Sequence, residues 1–133
     1  SGFGYIEFAH FVLEIASNYP DFRFIVGTEG IALPAFMAGA QGCVSGLANV
    51  FPEIMASLWD AWIARDYEKA QTLQMKIRKA RKILHIPSST NAACYTVLHA
   101  RGIDVGVPKR PVLPVPEDRA EQMLTAFRGM GLL

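Results

Sequence analysis

The sequence lacks any apolar run of the roughly 18 residues that a membrane-spanning helix needs, and it contains only two cysteines, Cys43 and Cys94. Both lie in apolar surroundings and match neither a disulfide framework nor a zinc site. Charged residues make up only 19% of the chain, and 13 basic against 12 acidic side chains leave a formal net charge of +1. A general nucleic-acid-binding surface needs a far more basic balance. We therefore expect neither a membrane nor a nucleic-acid partner, and a reducing, cytoplasmic location.

Length and composition indicate a folded chain of single-domain size. Hydrophobic residues account for 51% of the 133 residues, with eight Phe, four Tyr and two Trp. This apolar surface is large enough to offset chain entropy, which excludes intrinsic disorder. The chain begins at Ser1 with neither an initiating Met nor a targeting segment, and we expect it to be a processed or truncated product.

Two short apolar runs predict β-strands in the first half of the chain. Residues 22–26 (FRFIV) read as a strand buried on both faces, and residues 42–46 as a second strand. Helices are predicted over residues 5–17, from about Gly30 to near Gly39, and from Pro52 to about Ala64. The first of these helices has only a narrow polar stripe, so we expect it to be covered on most sides. The alternation of helices and apolar strands favours right-handed parallel βαβ units.

After residue 65 the pattern becomes helical only. The spacing of apolar residues predicts helices over 67–84, 89–100 and 117–129, with a proline-rich extended connector over 108–116. Two parallel strands cannot form a complete sheet by themselves, because each leaves an unpaired edge and a bare apolar flank. We therefore expect strands from another chain, or from an upstream part of the same protein, to complete the sheet.

Residues 27–52, GTEGIALPAFMAGAQGCVSGLANVFP, resemble the C-terminal part of the dihydrodipicolinate synthase/N-acetylneuraminate lyase superfamily, the pyruvate-dependent class I aldolases. The family pattern of glycines, an acidic residue and an Ala-Asn pair falls on Gly27, Glu29, Leu33, Gly39, Ala40, Gly42, Val44, Ser45, Ala48 and Asn49. The segments DYEKA at 66–70, RPVLPV at 110–115 and GLL at 131–133 are also similar to the family. The resemblance thus covers essentially the whole chain.

The resemblance implies an α/β fold, the C-terminal part of a (β/α)8 TIM barrel followed by a helical extension. Residues 1–65 would hold the last two barrel strands, 22–27 and 42–46, with their helices, and residues 66–133 would form the extension. The upstream part of the same barrel would be the missing partner. The family resemblance also implies a homo-oligomer, specifically a homotetramer.

The resemblance further implies a lyase that forms a Schiff base between a lysine and the keto carbon of pyruvate or a related 2-oxo acid. That lysine usually precedes a pair resembling Ser1-Gly2, so it would lie outside this chain, as would the family's Thr-Thr pair and catalytic Tyr. No catalytic residue is therefore assigned here. No metal and no organic cofactor are implied, because the lysine iminium is itself the electron sink.

The substrate-binding residues that the resemblance implies are Gly27, Thr28, Glu29, Val44 and Gly46, at the carboxyl ends of the strands, where α/β barrels carry their chemistry. Gly27 would let a backbone carbonyl approach the keto acid, and Val44 would form an apolar wall beside the Schiff base. The other three would face the variable end of the substrate. For Glu29, a purely structural role as a helix-capping residue is the alternative.

Departures from the family narrow the substrate without fixing it. Sialic-acid lyases usually place Asp-Glu where this chain has Glu29-Gly30 and Ser where it has Gly46, which argues against that substrate. The helix after Pro87 lacks the proline-rich start typical of lysine-pathway synthases, so an aldolase or hydratase acting on a sugar acid or an aromatic 2-oxo acid is equally compatible.

Two further interpretations complete the sequence-based expectations. The basic run at Lys76, Arg78, Lys79, Arg81 and Lys82 is typical of a solvated helix face. The alternatives to an aldolase are a non-catalytic helical interaction module, whose strands a partner completes, and a catalytically dead family member.

Overall fold

The structure is a computed structural model and describes residues 4–133, apart from the side chain of Ser17. The Ser1-Gly2 pair lies outside the described residues. The elements in chain order are α1 (Tyr5–Asn18), β1 (Ile25–Val26), α2 (Ala32–Met37), β2 (Gly42–Cys43), α3 (Pro52–Ile63), α4 (Tyr67–Leu84), α5 (Thr90–Ala100) and α6 (Glu117–Gly129). Short 3-10 turns at Glu29–Ile31 and Leu47–Asn49 follow the two strands.

The helices of the second half confirm the prediction closely, because each has a clear local start signal. The Asp66 side chain accepts a hydrogen bond from the Lys69 amide at 3.1 Å and begins α4. The Ser89 hydroxyl accepts one from the Ala92 amide at 3.3 Å and begins α5. Between α5 and α6 the chain has neither helix nor strand, as the prolines of the 108–116 connector predict.

The two strands pair in parallel, with Ile25 opposite Gly42 and Val26 opposite Cys43. The predicted parallel β–α–β order is therefore confirmed. Each strand is only two residues long, shorter than the predicted 22–26 and 42–46. Strands are longer where neighbouring strands on both sides satisfy their backbone groups. Within residues 4–133 each strand has only the other as a neighbour, which accounts for the short pairing.

Two burial predictions are wrong for this chain. The first strand is not buried on both faces: Val26 is buried, but Ile25 remains 50% exposed. Helix α1 is not covered on most sides either, since Val12 is buried while Phe11 and Leu13 are 54% and 61% exposed. The physical reason is the same in both cases, because no other element of the described chain packs against this apolar face.

The hydrophobic core lies beneath the helices and spans both halves of the chain. Leu58 of α3, Ile77 and Leu84 of α4, and Met123 and Phe127 of α6 are all fully buried. Phe127 packs edge-on against Phe51, with ring centroids 4.9 Å apart. The helical extension is thus joined to the β–α–β unit through one continuous core, and α4 lies directly against the turn that follows β1.

Candidate active site at the carboxyl ends of the strands

The carboxyl ends of the two strands lie side by side. The Val44 amide donates a hydrogen bond to the Val26 carbonyl at 2.9 Å, which continues the parallel pairing one step beyond β2. The chain leaves this point as Gly27-Thr28 from one strand and as Val44-Ser45 from the other. The structure therefore brings together at one edge three of the predicted site residues, Gly27, Thr28 and Val44.

Gly27 and Val44 form the open part of this edge. Gly27 is exposed, and the Val44 side chain is 69% exposed. An exposed valine directly beside a buried strand residue is an apolar surface without a partner in the described chain. The predicted role of Val44 as an apolar wall requires such a surface to face a ligand or the rest of a barrel.

Thr28 begins the 3-10 turn Glu29–Ile31. Its hydroxyl oxygen accepts a hydrogen bond from the Gly30 amide at 3.3 Å. Because the hydroxyl acts as acceptor in this bond, its O–H can still donate to a ligand. The side chain is half-buried, so the turn fixes its position while leaving it accessible.

Glu29 differs from its neighbours because its side chain is buried against the helical extension. The residue is 5% exposed, and one carboxylate oxygen lies 3.3 Å from the Arg81 Nε of α4. The Glu29 backbone carbonyl accepts a hydrogen bond from the Gln74 side chain at 2.9 Å. The same carbonyl also accepts from the Ala32 amide within the turn. The predicted contact of Glu29 with the variable end of a substrate therefore remains a prediction, and the observed partner of its carboxylate is on α4.

Gly46 occupies the corresponding position after β2. Its carbonyl accepts hydrogen bonds from the Asn49 side-chain amide at 3.2 Å and from the Cys94 thiol at 3.7 Å. The preceding Ser45 is buried and its hydroxyl accepts from the Ala48 amide at 3.2 Å. A Cβ added at Gly46 would lie 3.5 Å from the nearest atom, a Thr90 methyl, so the glycine is not required by space.

Two residues of the helical extension that support this region were missed by sequence reasoning, Gln74 and Arg81. Gln74 is buried on the face of α4 that also carries Ala70 and Ile77. Its side-chain oxygen Oε1 accepts a hydrogen bond from the Leu33 backbone N–H at 2.8 Å. Its spacing of four residues from Ala70 and three from Ile77 was an available signal. The basic run lies on a largely solvated face as predicted, but the Nε of Arg81 is buried beside Glu29 although the Arg81 side chain is 40% exposed.

The two cysteines contribute no reactive thiolate at neutral pH. Burial, reinforced by the negative charge of Glu29, raises the pKa of the Cys43 thiol to about 11. The same two causes raise the pKa of Cys94. A protonated thiol is a poor nucleophile and a poor metal ligand. Cys43 is half-buried and packs against the hydrophobic core.

Neither a metal cluster nor a membrane-spanning helix occurs in the part of the chain that the structure describes. No three His, Cys, Asp or Glu side chains among residues 4–133 are grouped so that they could hold a metal ion. None of the helices described is both long enough and apolar enough to cross a bilayer.

A parallel β–α–β unit is the building block of α/β proteins, and such proteins carry their sites at the carboxyl ends of the strands, where Gly27, Thr28 and Val44 meet here. The family model described as the dihydrodipicolinate synthetase family matches residues 7–128, and the chain belongs to this family.

Individual family members agree with this assignment. The chain is 33% identical over 118 residues to the 4-hydroxy-tetrahydrodipicolinate synthase of an Exiguobacterium species, covering 86% of this chain and 39% of that protein. Among solved structures, it is similar to dihydrodipicolinate synthase DapA-2 of Bacillus anthracis, with 28% identity, a TM-score of 0.80, and coverage of 90% of this chain and 41% of that one. Dihydrodipicolinate synthase of Bacteroides thetaiotaomicron gives 27% identity and a TM-score of 0.86, covering 97% and 44%. The chain thus spans about two-fifths of the length of these relatives.

Proposed function

We propose that this chain is the C-terminal part of a (β/α)8 barrel that acts as a Schiff-base-forming lyase or aldolase on pyruvate or a related 2-oxo acid. The observation that carries the proposal is the meeting of Gly27-Thr28 and Val44 at the carboxyl edge of a parallel strand pair, in a chain that belongs to the dihydrodipicolinate synthetase family. In this reading β1 and β2 are the last two strands of the barrel and residues 66–133 are its helical extension.

The exposed apolar face of α1 and β1 supports the presence of further barrel elements. Phe11, Phe22 and Ile25 are each half-exposed or more, and they line a groove of about 520 Å³ together with Phe24, Phe8, Glu7 and Arg23. Covering such a groove removes a large apolar area from water. The upstream strands and helices of the same barrel are the proposed cover.

The lysine nucleophile is proposed to lie upstream of this chain. All five lysines here follow residue 68, the first being Lys69 at the start of α4. None is on a strand or on the residues that directly follow one. In the assembled site Gly27 offers a backbone carbonyl to the keto acid, and Val44 keeps water away from the amine, which lowers its pKa by disfavouring the charged form.

The proposal extends to the second substrate, the oligomeric state and the location that the family resemblance implies. The second substrate would meet Thr28, Glu29 and Gly46, and the assembly would be a homotetramer located in the cytoplasm. Neither a metal ion nor an organic cofactor is needed for the step, because protonation of the lysine imine supplies the electron sink.

The test is intact mass spectrometry of the longer protein that contains this chain, before and after incubation with pyruvate and borohydride. We expect a reduced pyruvate adduct, and peptide mapping should place it on a lysine upstream of residue 1. An adduct on Lys69 or a later lysine would contradict the upstream nucleophile. The absence of any adduct would leave the alternatives, a non-catalytic module or a dead family member.

A matched pair of variants tests the site itself. Val44 and Val107 are both exposed valines, at 69% and 73%, but only Val44 follows a strand. Val44→Asp should reduce adduct formation, because a carboxylate beside the amine favours its protonated form. Val107→Asp should leave the yield unchanged. Equal effects of the two substitutions would refute the placement of the site.

A further inference from the structure

A cleft of about 270 Å³ lies between the turn after β1 and the last two turns of α4. Thr28, Gly30 and Ile31 line one side, and Arg78, Arg81 and Lys82 line the other. Thr28 therefore faces both the carboxyl edge of the strands and this cleft. Thr28, which is proposed to face the variable end of the substrate, is thus shared between the strand ends and the cleft.

The charge of the cleft has one sign. Its three ionisable lining residues are all cationic. Arg81 and Lys82 follow Arg78 by three and four residues, so each lies on the same side of α4 as Arg78. Like charges at this spacing repel one another and destabilise a helix. Within residues 4–133, Arg81 pairs with Glu29, whereas Arg78 and Lys82 make no ion pair in the described structure.

The chemistry of these groups fits an oxyanion. Guanidinium groups present two parallel N–H donors to carboxylate or phosphate oxygens, and a lysine ammonium adds a third cationic donor. Arg81 is held in place by its pairing with the buried Glu29 carboxylate. When its terminal nitrogens bind an anion, the side chain therefore loses less conformational entropy than a mobile arginine would. The Thr28 O–H can donate from the opposite wall.

We propose that this cleft binds a terminal oxyanion group, a phosphate or a carboxylate, at the variable end of the second substrate. This inference rests on the proposed function, because the cleft is a substrate subsite only if Thr28 borders an active site. It narrows the substrate class to 2-oxo acids or aldehydes that carry a second anionic group several atoms from the reacting carbon.

The test is an NMR titration of this chain with inorganic phosphate at constant ionic strength, following the backbone amide signals of Thr28, Gly30 and Ile31. We expect saturable shifts at these amides. Replacing both Arg78 and Lys82 by Gln should weaken phosphate binding about tenfold or more, since charge-assisted hydrogen bonds to the anion are lost. Lys79→Gln is the matched control, because Lys79 is an exposed α4 cation that does not line the cleft and should bind phosphate like the unchanged chain.

Shifts that do not saturate, or equal weakening by Lys79→Gln, would overturn the proposal in favour of general charge screening. A parallel titration with acetate separates the two sources of the anion: tighter binding of phosphate assigns a phosphoryl group, and equal or tighter binding of acetate assigns a carboxylate. Phosphate binding needs no Schiff base. A failed titration with an intact pyruvate adduct therefore refutes only the subsite, whereas phosphate binding without an adduct refutes only the proposed activity.

Discussion

Gln74→Leu is the substitution that tests most directly how the helical extension holds the loop after β1. The Gln74 side chain is 6% exposed and bridges two backbone groups of that loop. It accepts from the Leu33 amide at 2.8 Å and donates to the Glu29 carbonyl at 2.9 Å. Leucine has a similar size but offers neither bond, so the Leu33 amide would lose its partner, whereas the Glu29 carbonyl would still accept from the Ala32 amide.

The expected cost follows mainly from the Leu33 amide. Leaving a buried donor unsatisfied costs about 1–3 kcal/mol. Loss of the bond to the Glu29 carbonyl adds to this cost, and burial of the apolar surface of leucine offsets part of it. We therefore expect Gln74→Leu to lower the free energy of unfolding by about 1–3 kcal/mol, a substantial fraction of the stability of a chain of this size.

The assay is urea unfolding of this chain followed by far-ultraviolet circular dichroism, together with hydrogen exchange of the Leu33 amide. Gln71→Leu is the control, because Gln71 lies on the exposed face of the same helix and should change stability by no more than about 0.5 kcal/mol. A cost for Gln74→Leu within that same range, or an unchanged exchange rate at Leu33, would refute the bridging role.

Three further predictions concern groups outside the loop. The rate at which the Cys43 thiol reacts with iodoacetamide should reach half its maximum near pH 11. Because the folded pKa lies above the unfolded value of 9.0, the contribution of Cys43 to stability should be full below pH 9 and lost as pH rises toward 11. Cys43→Ala should abolish that part of the dependence of stability on pH. The hydrogen bond from Arg101 holds the pKa of Glu53 below its ordinary value of 4.5. The pair should therefore stabilise the fold above pH 4.5, and this stabilisation should be lost as pH falls through the lowered pKa. Carbon NMR of the Glu53 carboxyl in Arg101→Gln should show a higher pKa. Phe127→Ala should cost about 3–5 kcal/mol in urea unfolding, since the ring is fully buried against Phe51, and a cost below about 1 kcal/mol would contradict the shared core.

Helix α3 and the helices of the second half could be predicted from the sequence because their signals are local. Asp66, Ser89 and Pro52 begin helices through side-chain caps or a fixed backbone angle, and the apolar spacing then continues for three turns or more. The parallel pairing of the strands also followed from local order, since a short helix between two apolar runs favours one hand and one direction.

Burial in the first half could not be predicted correctly, because an apolar sequence does not show whether a covering surface is present. An apolar composition indicates that α1 and β1 should be covered, but only a second surface can cover them. Within residues 4–133 no such surface covers Ile25 and Phe11, and each strand has only the other as its neighbour there.

The candidate site was predictable where it depends on strand ends and not where it depends on packing across the chain. Gly27, Thr28 and Val44 were expected at the strand ends from the family resemblance, and in the structure they directly follow β1 and β2. Arg81 comes 52 residues after Glu29 in the sequence, and nothing in a basic run indicates which cation pairs with that carboxylate. Burial of Gln74 was detectable in principle, because it occupies an apolar stripe position.

The helical extension and the strand-end site are one mechanical unit in this structure. The turn after β1 is fixed from α4 twice, by the Gln74 bridge to the Glu29 and Leu33 backbone and by the Arg81 ion pair to the Glu29 carboxylate. Because Thr28 precedes Glu29 directly, we expect a change of packing beneath α4 to shift the hydroxyl that borders both the strand ends and the cationic cleft. In the proposed site, α4 would then set the position of this turn, and the residues at the strand ends would supply the contacts. Substitutions on the inner face of α4 should consequently alter ligand binding at Thr28, although the substituted residues do not contact the ligand. Substitutions on the outer face of α4, away from the cleft, should leave ligand binding unchanged.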